Sequence, residues 1–387
     1  VHYCPPRRRD RLWRQARFSR RDLDRYGTVV LVAVERTRTR VVGNRSAIST
    51  SPLTMELTNM QAVWYEQLGP AEQVLQCGEI PVPQPQSGEV RVAVWVSGVN
   101  PIDVKRRLGG RGSMTAPRIV PHFDGAGIID AVGEGVDSSR VGERVWLYEA
   151  QWQRDYGTAA ELVTLPQHLA VPLPDNADFS SGACLGIPAL TAYGSLFAAG
   201  HVQGKTVLVT GGAGSVGRYA VQFAKLAGAT VIATVSSESK AALASSAGAD
   251  HVLNYRTTDI ADEVLKLTSG KGVDHVTEVE FGGNLATNLS AVAVGGSIAA
   301  FASQATPEPQ VPFYSLMYRS LAVYHVLVFQ LSAALKAQAI ADISRWLEQG
   351  KLTHHIAEVF PLKNTIAAHQ AVEQGATGKV LIDLQAS

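Results

Sequence analysis

A short glycine-rich segment in the middle of the chain constrains the fold more than any other feature. Residues 207–209 are apolar, Gly212, Gly214 and Gly217 follow them with the spacing GxGxxG, and a helical pattern covers 219–227. Glycines between a strand and a helix let the backbone approach a pyrophosphate, and the helix N-terminus offers unpaired N–H groups to the anion. An ordinary tight strand-to-helix turn is the alternative interpretation. We predict a dinucleotide site that uses Gly212, Ala213, Gly214, Ser215, Val216 and Gly217.

The residues after this turn indicate which dinucleotide binds. The apolar run 230–235 predicts the second parallel strand, and it ends in Ser236 and Ser237 with Lys240 close behind. Sites that prefer NAD place a carboxylate there for the ribose hydroxyls. Hydroxyls and a cation suit a 2′-phosphate, which a carboxylate would repel. The pattern favours NADPH, with Ser236 and Lys240 at the phosphate, although a solvated surface lysine is the alternative for Lys240.

Composition excludes several classes of protein. The chain has 387 residues, enough for two domains, and a net charge of +1 that does not favour nucleic acid as a partner. No apolar run approaches the roughly 18 residues of a membrane helix. Cys4, Cys77 and Cys184 are scattered, so neither a disulfide framework nor a cysteine-based metal site is expected. We expect a cytoplasmic protein with a small-molecule substrate.

The N-terminal segment differs from the rest of the chain. Its first 54 residues contain thirteen arginines and no lysine, and it begins with Val1. A basic arm for nucleic acid, an arginine-rich organelle presequence, and sequence upstream of a start at Met55 or Met60 are three open interpretations. We favour the last and predict that residues 1–59 form a poorly packed extension.

The pattern of apolar residues divides the remaining chain. Residues 60–183 alternate apolar and polar positions with glycine punctuation, which predicts a β-rich module. In residues 184–315 strands alternate with helices, which predicts an α/β domain with a doubly wound parallel sheet. Residues 316–387 hold an amphipathic helix and two more strands, and we predict that they return to the first module.

Several motifs, taken together in chain order, carry a resemblance to a known family. They are Gly98-Val99-Asn100-Pro101-Ile102-Asp103, Phe123-Asp124-Gly125-Ala126-Gly127, Ala131-Val132-Gly133-Glu134-Gly135-Val136, Pro188-Ala189-Leu190-Thr191-Ala192-Tyr193, the glycine turn, Gly248-Ala249-Asp250-His251-Val252-Leu253-Asn254-Tyr255-Arg256 and Gly378-Lys379-Val380-Leu381. The chain resembles the medium-chain dehydrogenase/reductase superfamily, and within it the zinc-free quinone oxidoreductases related to zeta-crystallin. The resemblance implies a GroES-like module, a Rossmann domain and a homodimer.

The resemblance also implies roles for individual residues. Asn100 falls at the position that lines the nicotinamide and the substrate, and Thr191 falls near the cofactor. Lys240 and Tyr255 fall on the 2′-phosphate side, while Phe301 and Ser303 run past the nicotinamide. One departure is Gly375, where some relatives carry an arginine that reaches the phosphate.

The sequence does not favour a metal site. A catalytic zinc needs about three Cys, His or carboxylate ligands, and Asn100 stands where the zinc alcohol dehydrogenases carry a cysteine. His122 lies in a loop, where a hydrogen-bonded or exposed histidine is the simpler interpretation. His354 and His355 are adjacent, and on a strand they would point to opposite faces. We predict that no metal is bound.

If no metal is bound, the substrate should be one that accepts hydride without a Lewis acid. A quinone or a conjugated enone is already electrophilic, so hydride transfer from NADPH needs little more than binding and orientation. Asn100 or Tyr156 could donate a hydrogen bond to the developing oxygen charge, although Tyr156 could instead only pack at the rim. We predict a zinc-independent quinone or enone reductase. A reductase of enoyl thioesters or aldehydes and a non-catalytic, crystallin-like NADPH-binding protein are the alternatives.

Overall fold

The structure, a computed structural model, describes residues 58–110 and 112–386. The predicted extension 1–59 lies outside this range except for Thr58 and Asn59. The strands, in chain order, are β1 (Asn59–Trp64), β2 (Gln76–Pro81), β3 (Glu89–Val99), β4 (Asp124–Val132), β5 (Arg144–Leu147), β6 (Leu162–Pro166), β7 (Ala170–Pro172), β8 (Thr206–Val209), β9 (Thr230–Val235), β10 (His251–Asn254), β11 (Val273–Glu278), β12 (Val292–Ala300), β13 (Ala322–His325), β14 (Ile356–Pro361) and β15 (Lys379–Asp383). The helices are α1 (Ala71–Val74), α2 (Pro101–Arg107), α3 (Phe179–Ala183), α4 (Gly186–Leu196), α5 (Ser215–Leu226), α6 (Glu238–Ser246), α7 (Ile260–Leu267), α8 (Phe281–Ala291), α9 (Phe313–Tyr318), α10 (Ala333–Glu348) and α11 (Thr365–Glu373).

The first lobe is built on a mostly antiparallel sheet in the order β14-β15-β3-β4-β5-β7, with β6 also paired to β3. Val90, Val92 and Val94 of β3 are buried and the residues between them are half-buried, as a period of two requires. β15 pairs antiparallel with β3, so the end of the chain returns to this lobe. This GroES-like sheet brings the starts of β4 and β15 next to the end of β3.

The second lobe is built on a six-stranded parallel sheet. Its order, β10-β9-β8-β11-β12-β13, reverses direction between β8 and β11. This is the strand order of a Rossmann sheet, whose ligands bind at the carboxyl ends of the strands where the order reverses. The predicted fold class is therefore confirmed.

One predicted boundary differs from the structure. β13 (Ala322–His325) is the sixth strand of the parallel sheet, whereas the predicted dinucleotide-binding domain ends at residue 315. The strand has four residues at the edge of the sheet, and none of them is fully buried. Residues 321–329 are largely apolar, which fits a strand, but this local pattern does not indicate which of the two sheets the strand joins.

One helix connects the two lobes through their shared core. Every residue of α4 is buried, including Leu190 and Leu196, and burial of each leucine contributes about 1.5–3 kcal/mol. α10 packs against α4, and Trp346 of α10 stacks on Phe223 with ring centroids 5.0 Å apart. In the part of the chain that the structure describes, no helix has both the length and the apolar character needed to cross a membrane.

Candidate functional site

The glycine turn is so tightly packed that two of its glycines cannot carry a side chain. A Cβ atom on Gly217 would lie 2.2 Å from the Gly211 carbonyl oxygen, and one on Gly212 would lie 2.8 Å from Ala233 Cβ. Gly214 is the N-cap of α5 and no side chain caps that helix end. Strand, turn and helix therefore pack as a dinucleotide requires, and the first N–H groups of α5 are left for an anion.

Ser236, Lys240 and Tyr255 lie near one another at the carboxyl edge of the sheet. Ser236 follows β9 directly, and Lys240 lies in the first turn of α6, where its N–H donates to Ser237 Oγ at 3.4 Å. The Tyr255 N–H donates to the Val235 carbonyl at 3.1 Å, and the Tyr255 side chain is 53% exposed. The structure thus brings together the three residues predicted to surround a 2′-phosphate.

The loop after β12 contains Phe301 and Ser303. Ser303 Oγ accepts from the Gly282 N–H at 2.9 Å and donates to the Thr306 carbonyl at 2.5 Å, so the loop itself uses this hydroxyl. Glu280 accepts from the backbone N–H groups of the same loop, at 2.7 Å from Gln304. Although partial desolvation opposes them, these backbone hydrogen bonds lower the pKa of Glu280. The carboxylate therefore fixes the loop in which Phe301 and Ser303 lie.

A buried carboxylate that sequence analysis missed lies where the strand order reverses. Glu278 ends β11 and accepts hydrogen bonds at 2.9 Å from Thr210 Oγ1, just beyond β8, and from Asn284 Nδ2. Asn288 Nδ2 donates to its other oxygen at 2.5 Å. The side chain thus joins β8, β11 and α8 at the crevice. Its sequence signal, one Glu at the end of a strand of mixed polarity, is too common to be read alone.

A second buried cluster joins three neighbouring strands of the first lobe. Lys379 Nζ donates to Asp124 Oδ2 at 2.6 Å and to Asn100 Oδ1 at 2.7 Å, and Asn100 Nδ2 donates to Asp124 Oδ2 at 2.8 Å. All three are almost completely buried. Gly98 makes room for the lysine, since a Cβ there would lie 2.6 Å from Lys379 Cε. Sequence analysis selected Asn100 but gave no role to Lys379.

Burial shifts the pKa values of the carboxyls in and beside this cluster. Desolvation raises the pKa of Asp124, and the neighbouring Lys379 cation opposes that shift. Desolvation, reinforced by the Asp124 charge, raises the pKa of Asp103 to about 7. Asp103 Oδ2 accepts from the Asn100 N–H at 2.6 Å, whereas its Oδ1 has no hydrogen-bond partner. Asp103 therefore fixes the start of α2 and changes charge near neutral pH.

The two lobes meet at α4. The Ile187 N–H at the start of α4 donates to Asp124 Oδ1 at 2.9 Å, and Thr191 is buried farther along the same helix. Ser215, the first residue of α5 after the glycine turn, lines one small cavity together with Lys379. Lys379 is the member of the polar cluster that lines this cavity of about 10 Å³, so the lysine and the start of α5 lie close together between the lobes.

An aromatic wall adjoins the polar cluster. Phe123 immediately precedes Asp124, and its ring centroid lies 4.9 Å from that of Phe329. Trp152 stacks on Phe329 with parallel rings 4.0 Å apart, and the Arg106 guanidinium carbon lies 5.5 Å from the Phe123 centroid. Phe123 and Phe329 are buried and Trp152 is half-buried, so these rings form packed apolar core beside the cluster.

Tyr156 lies in a different place from the other predicted catalytic residue. It lines a groove of about 500 Å³ together with Pro81, Pro83, Glu89 and Arg154, and residues of the polar cluster do not line that groove. Tyr156 is half-buried and packs against the core of the first lobe. Its position corresponds to the packing interpretation rather than to contact with a substrate at Asn100.

The histidines considered as ligands have other partners. His122 is buried and lies 2.9 Å from both Ser97 Oγ and His369 Nε2, so it is not the exposed loop residue that sequence analysis allowed. His354 Nδ1 lies 2.7 Å from the Tyr219 hydroxyl. Among the described residues, no three His, Cys, Asp or Glu side chains are grouped so that they could hold a metal ion.

Comparisons with known proteins agree with both lobes. Two family models match: the alcohol dehydrogenase GroES-like domain over residues 86–175 and the zinc-binding dehydrogenase over residues 215–345. The quinone oxidoreductase of Pongo abelii is 31% identical over 326 residues, which cover 84% of this chain and 97% of the relative.

Several solved structures resemble both lobes of this chain. An NAD-dependent alcohol dehydrogenase has a TM-score of 0.77 at 32% identity, covering 84% of this chain and 100% of that one. A mycobacterial protein complexed with NADPH has a TM-score of 0.74 at 30% identity, covering 84% and 99%. The CurK enoyl reductase has a TM-score of 0.74 at 27% identity, covering 84% and 99%. Since the likeness spans both lobes and almost the full length of its relatives, the chain belongs to the medium-chain dehydrogenase/reductase superfamily as a quinone oxidoreductase-like oxidoreductase.

Proposed function

We propose that this protein transfers hydride from NADPH to a quinone or a conjugated enone without the help of a metal ion. The observation that carries the proposal is the closeness of Ser215, at the glycine turn, to Lys379 of the buried cluster, since both line one cavity of about 10 Å³. A dinucleotide whose pyrophosphate rests on the turn would extend its nicotinamide toward that cluster.

NADPH, when bound, supplies the hydride, and the chain supplies orientation and a hydrogen bond for the charge that develops. Asn100 Oδ1 accepts from Lys379, which fixes the amide with its nitrogen as the donor. One Nδ2 proton is donated to Asp124 at 2.8 Å, while the other faces the Gly98 carbonyl at a long 3.5 Å. Because this second hydrogen bond is long, we propose that its proton turns from Gly98 to an acceptor oxygen that gains negative charge.

We propose NADPH rather than NADH because the residues that follow β9 carry hydroxyls. Ser236 and Ser237 occupy the place of the ribose-binding carboxylate, and the carboxylate of Glu238 is exposed in the first turn of α6. Lys240 and Tyr255 lie at the same edge. Gly375 has a φ of 81°, a left-handed conformation in which an arginine would be strained, and we propose that Lys240 holds the phosphate in this chain.

We also propose a homodimer that forms through the edge of the parallel sheet. β13 has no further strand beside it in the described chain, and Tyr324 on it is 37% exposed. Phe313, Tyr314 and Tyr318 of the adjacent α9 are 65%, 65% and 78% exposed. An unpaired edge strand beside exposed aromatic rings is a typical surface for pairing with a second copy.

The test is turnover by the full chain after treatment with a chelator. NADPH oxidation is followed with a benzoquinone, a conjugated enone and an enoyl thioester, and NADH serves as the comparison. Lys240→Ala should raise the KM for NADPH and leave that for NADH unchanged, whereas Lys266→Ala, at an exposed lysine of α7, serves as the matched control. Activity that disappears with the chelator and returns with zinc contradicts the proposal.

The enoyl-thioester alternative has its own support in the likeness to the CurK enoyl reductase. Preference for the thioester over both quinone and enone by more than tenfold in kcat/KM would select it. Binding of NADPH without turnover of any acceptor would select the non-catalytic alternative. We further propose a cytoplasmic location, since Cys77 and Cys184 are both unpaired thiols.

A further inference from the structure

A continuous chain of buried side chains runs behind the polar cluster and was not predicted from the sequence. Arg107 Nε donates to His369 Nδ1 at 3.3 Å, and His369 Nε2 lies 2.9 Å from His122 Nε2. His122 Nδ1 lies 2.9 Å from Ser97 Oγ, and Ser97 Oγ lies 2.7 Å from Thr158 Oγ1. Thr158 Oγ1 then donates to the Asp124 carbonyl at 2.6 Å. The side chains of this chain, hereafter the histidine chain, are fully buried.

The two ends of the histidine chain force one arrangement of its protons. Arg107 can only donate, so His369 Nδ1 is a bare acceptor and its proton is on Nε2. That proton points at His122 Nε2, which must accept it, so the proton of His122 is on Nδ1 and is donated to Ser97.

The opposite end gives the same answer. A carbonyl can only accept, so Thr158 donates to Asp124 and must itself accept from Ser97. Ser97 therefore donates onward and accepts from His122. Both ends thus give the same direction, and both histidines are neutral with opposite tautomers.

The environment reinforces the neutral state of both rings. Burial, together with the Arg107 charge, lowers the pKa of His369 to about 3. Burial, His369 and Lys379 lower the pKa of His122 well below its usual value. The anions nearby are already paired, since Glu373 binds Arg107 and Asp124 binds Lys379. A second proton on either ring would set two N–H groups against each other.

The backbone of His122 is strained, which indicates that the histidine chain acts on the start of β4. His122 has a φ of 82°, a left-handed conformation that is strained in a residue other than glycine. The residue lies two positions before Asp124, so its conformation sets how β4 begins. Hydrogen bonds on both ring nitrogens hold His122 in this conformation.

We propose that His122 and His369 are positioning residues: the histidine chain fixes the start of β4, and thereby holds Asp124 and Asn100 in the orientation used for hydride transfer. The kinetic part of this inference rests on the proposed function. The arrangement of protons and its effect on Asn100 do not depend on the proposed function, and both can be measured without any substrate.

The first experiment is NMR of the full chain with ¹⁵N-labelled histidine between pH 5 and 8, assigned with His122→Asn and His369→Phe. We expect two neutral rings that do not titrate, with the proton on Nδ1 in His122 and on Nε2 in His369. In His369→Phe, His122 Nε2 loses its donor while Ser97 still holds the proton on Nδ1, so the Nε2 signal of His122 should move. Equal tautomers, or titration of either wild-type ring in this range, would overturn the histidine chain.

The second experiment tests positioning. Asn tolerates a left-handed φ, so His122→Asn keeps the backbone while it removes the acceptor for His369. We expect kcat to fall by about 10- to 100-fold with the Kd for NADPH almost unchanged, and the Tm to fall because the His369 N–H loses its buried acceptor, whereas His201→Asn, at an exposed histidine, changes none of them.

The side-chain amide signal of Asn100 gives a readout that does not require turnover. It should shift in His122→Asn and stay in place in His201→Asn. A fixed Asn100 signal, or an unchanged kcat, refutes positioning. A wild-type protein that turns over no acceptor, but shows the expected tautomers and the Asn100 shift, refutes the proposed function and leaves the histidine chain standing.

Discussion

Replacement of Lys379 by methionine tests how the buried cluster is held together. The lysine gives Asp124 its one cationic partner, at 2.6 Å, and both side chains are at most 3% exposed. Removal of one partner from a buried ion pair leaves an uncompensated charge and typically costs about 3–5 kcal/mol. We expect Lys379→Met to lower the free energy of unfolding by about that amount at pH 8.

The matched control is Lys225→Met. Lys225 forms an ion pair with Asp250 at 2.8 Å, but both side chains are 35% exposed, so solvent already screens the charges. An exposed pair contributes at most about 1 kcal/mol. Urea denaturation of both variants, at pH 8 and at pH 5, separates the buried pair from the exposed one.

The pH dependence has a definite sign. Without the lysine, burial raises the folded-state pKa of Asp124 further above the unfolded value, so ionisation then opposes folding. The deficit is therefore complete above the folded pKa and shrinks as the pH falls toward the unfolded value. Addition of Asp124→Asn to Lys379→Met should recover much of the loss at pH 8. If Lys379→Met costs no more than Lys225→Met, or its cost is the same at both pH values, this reasoning is wrong.

Three further outcomes follow from the structure. Because burial raises the pKa of Asp103 from 3.8 to about 7, Asp103→Asn should stabilise the fold at pH 8 by no more than about 4 kcal/mol; the gain should fade as the pH drops to 4, and a constant gain in urea titrations would contradict it. Gly217→Ala should lower the Tm because its Cβ would lie 2.2 Å from a carbonyl oxygen. Gly214→Ala, whose Cβ would have its nearest atom at 3.4 Å, should keep the Tm and weaken NADPH binding in a fluorescence titration. An equal loss of Tm in both variants would contradict the packing argument. Tyr318→Lys, at a ring that is 78% exposed, should leave the Tm unchanged and shift a dimer toward monomer by light scattering, and an unchanged mass would move the interface elsewhere.

Local sequence patterns predicted the parts of the fold that depend on neighbouring residues. The glycine spacing before Ser215 and the alternating valines of β3 act through turn geometry and the two faces of one strand, so both can be read from the sequence. β13 lies in a largely apolar segment, but its place at the edge of the parallel sheet follows from its pairing with β12, which the local pattern does not show.

The site depended more on tertiary structure than the fold did. Asn100 was selected from a motif, but its partner Lys379 is 279 residues away and reaches it only because β15 lies beside β3. Tyr156 is close to the loops of the site in sequence, yet it lines another groove together with Glu89 and Arg154.

The sequence by itself determined the two lobes, the dinucleotide turn and the family, since each of these depends on motifs and on the spacing of glycines and apolar residues that lie close together in the chain. Only the tertiary structure decided which polar groups share a buried space. His122 and His369 illustrate the difference: as letters they are two ordinary histidines 247 positions apart. Burial between a cation that can only donate and a carbonyl that can only accept gives them opposite tautomers, and this requirement exists only after the strands and helices have packed.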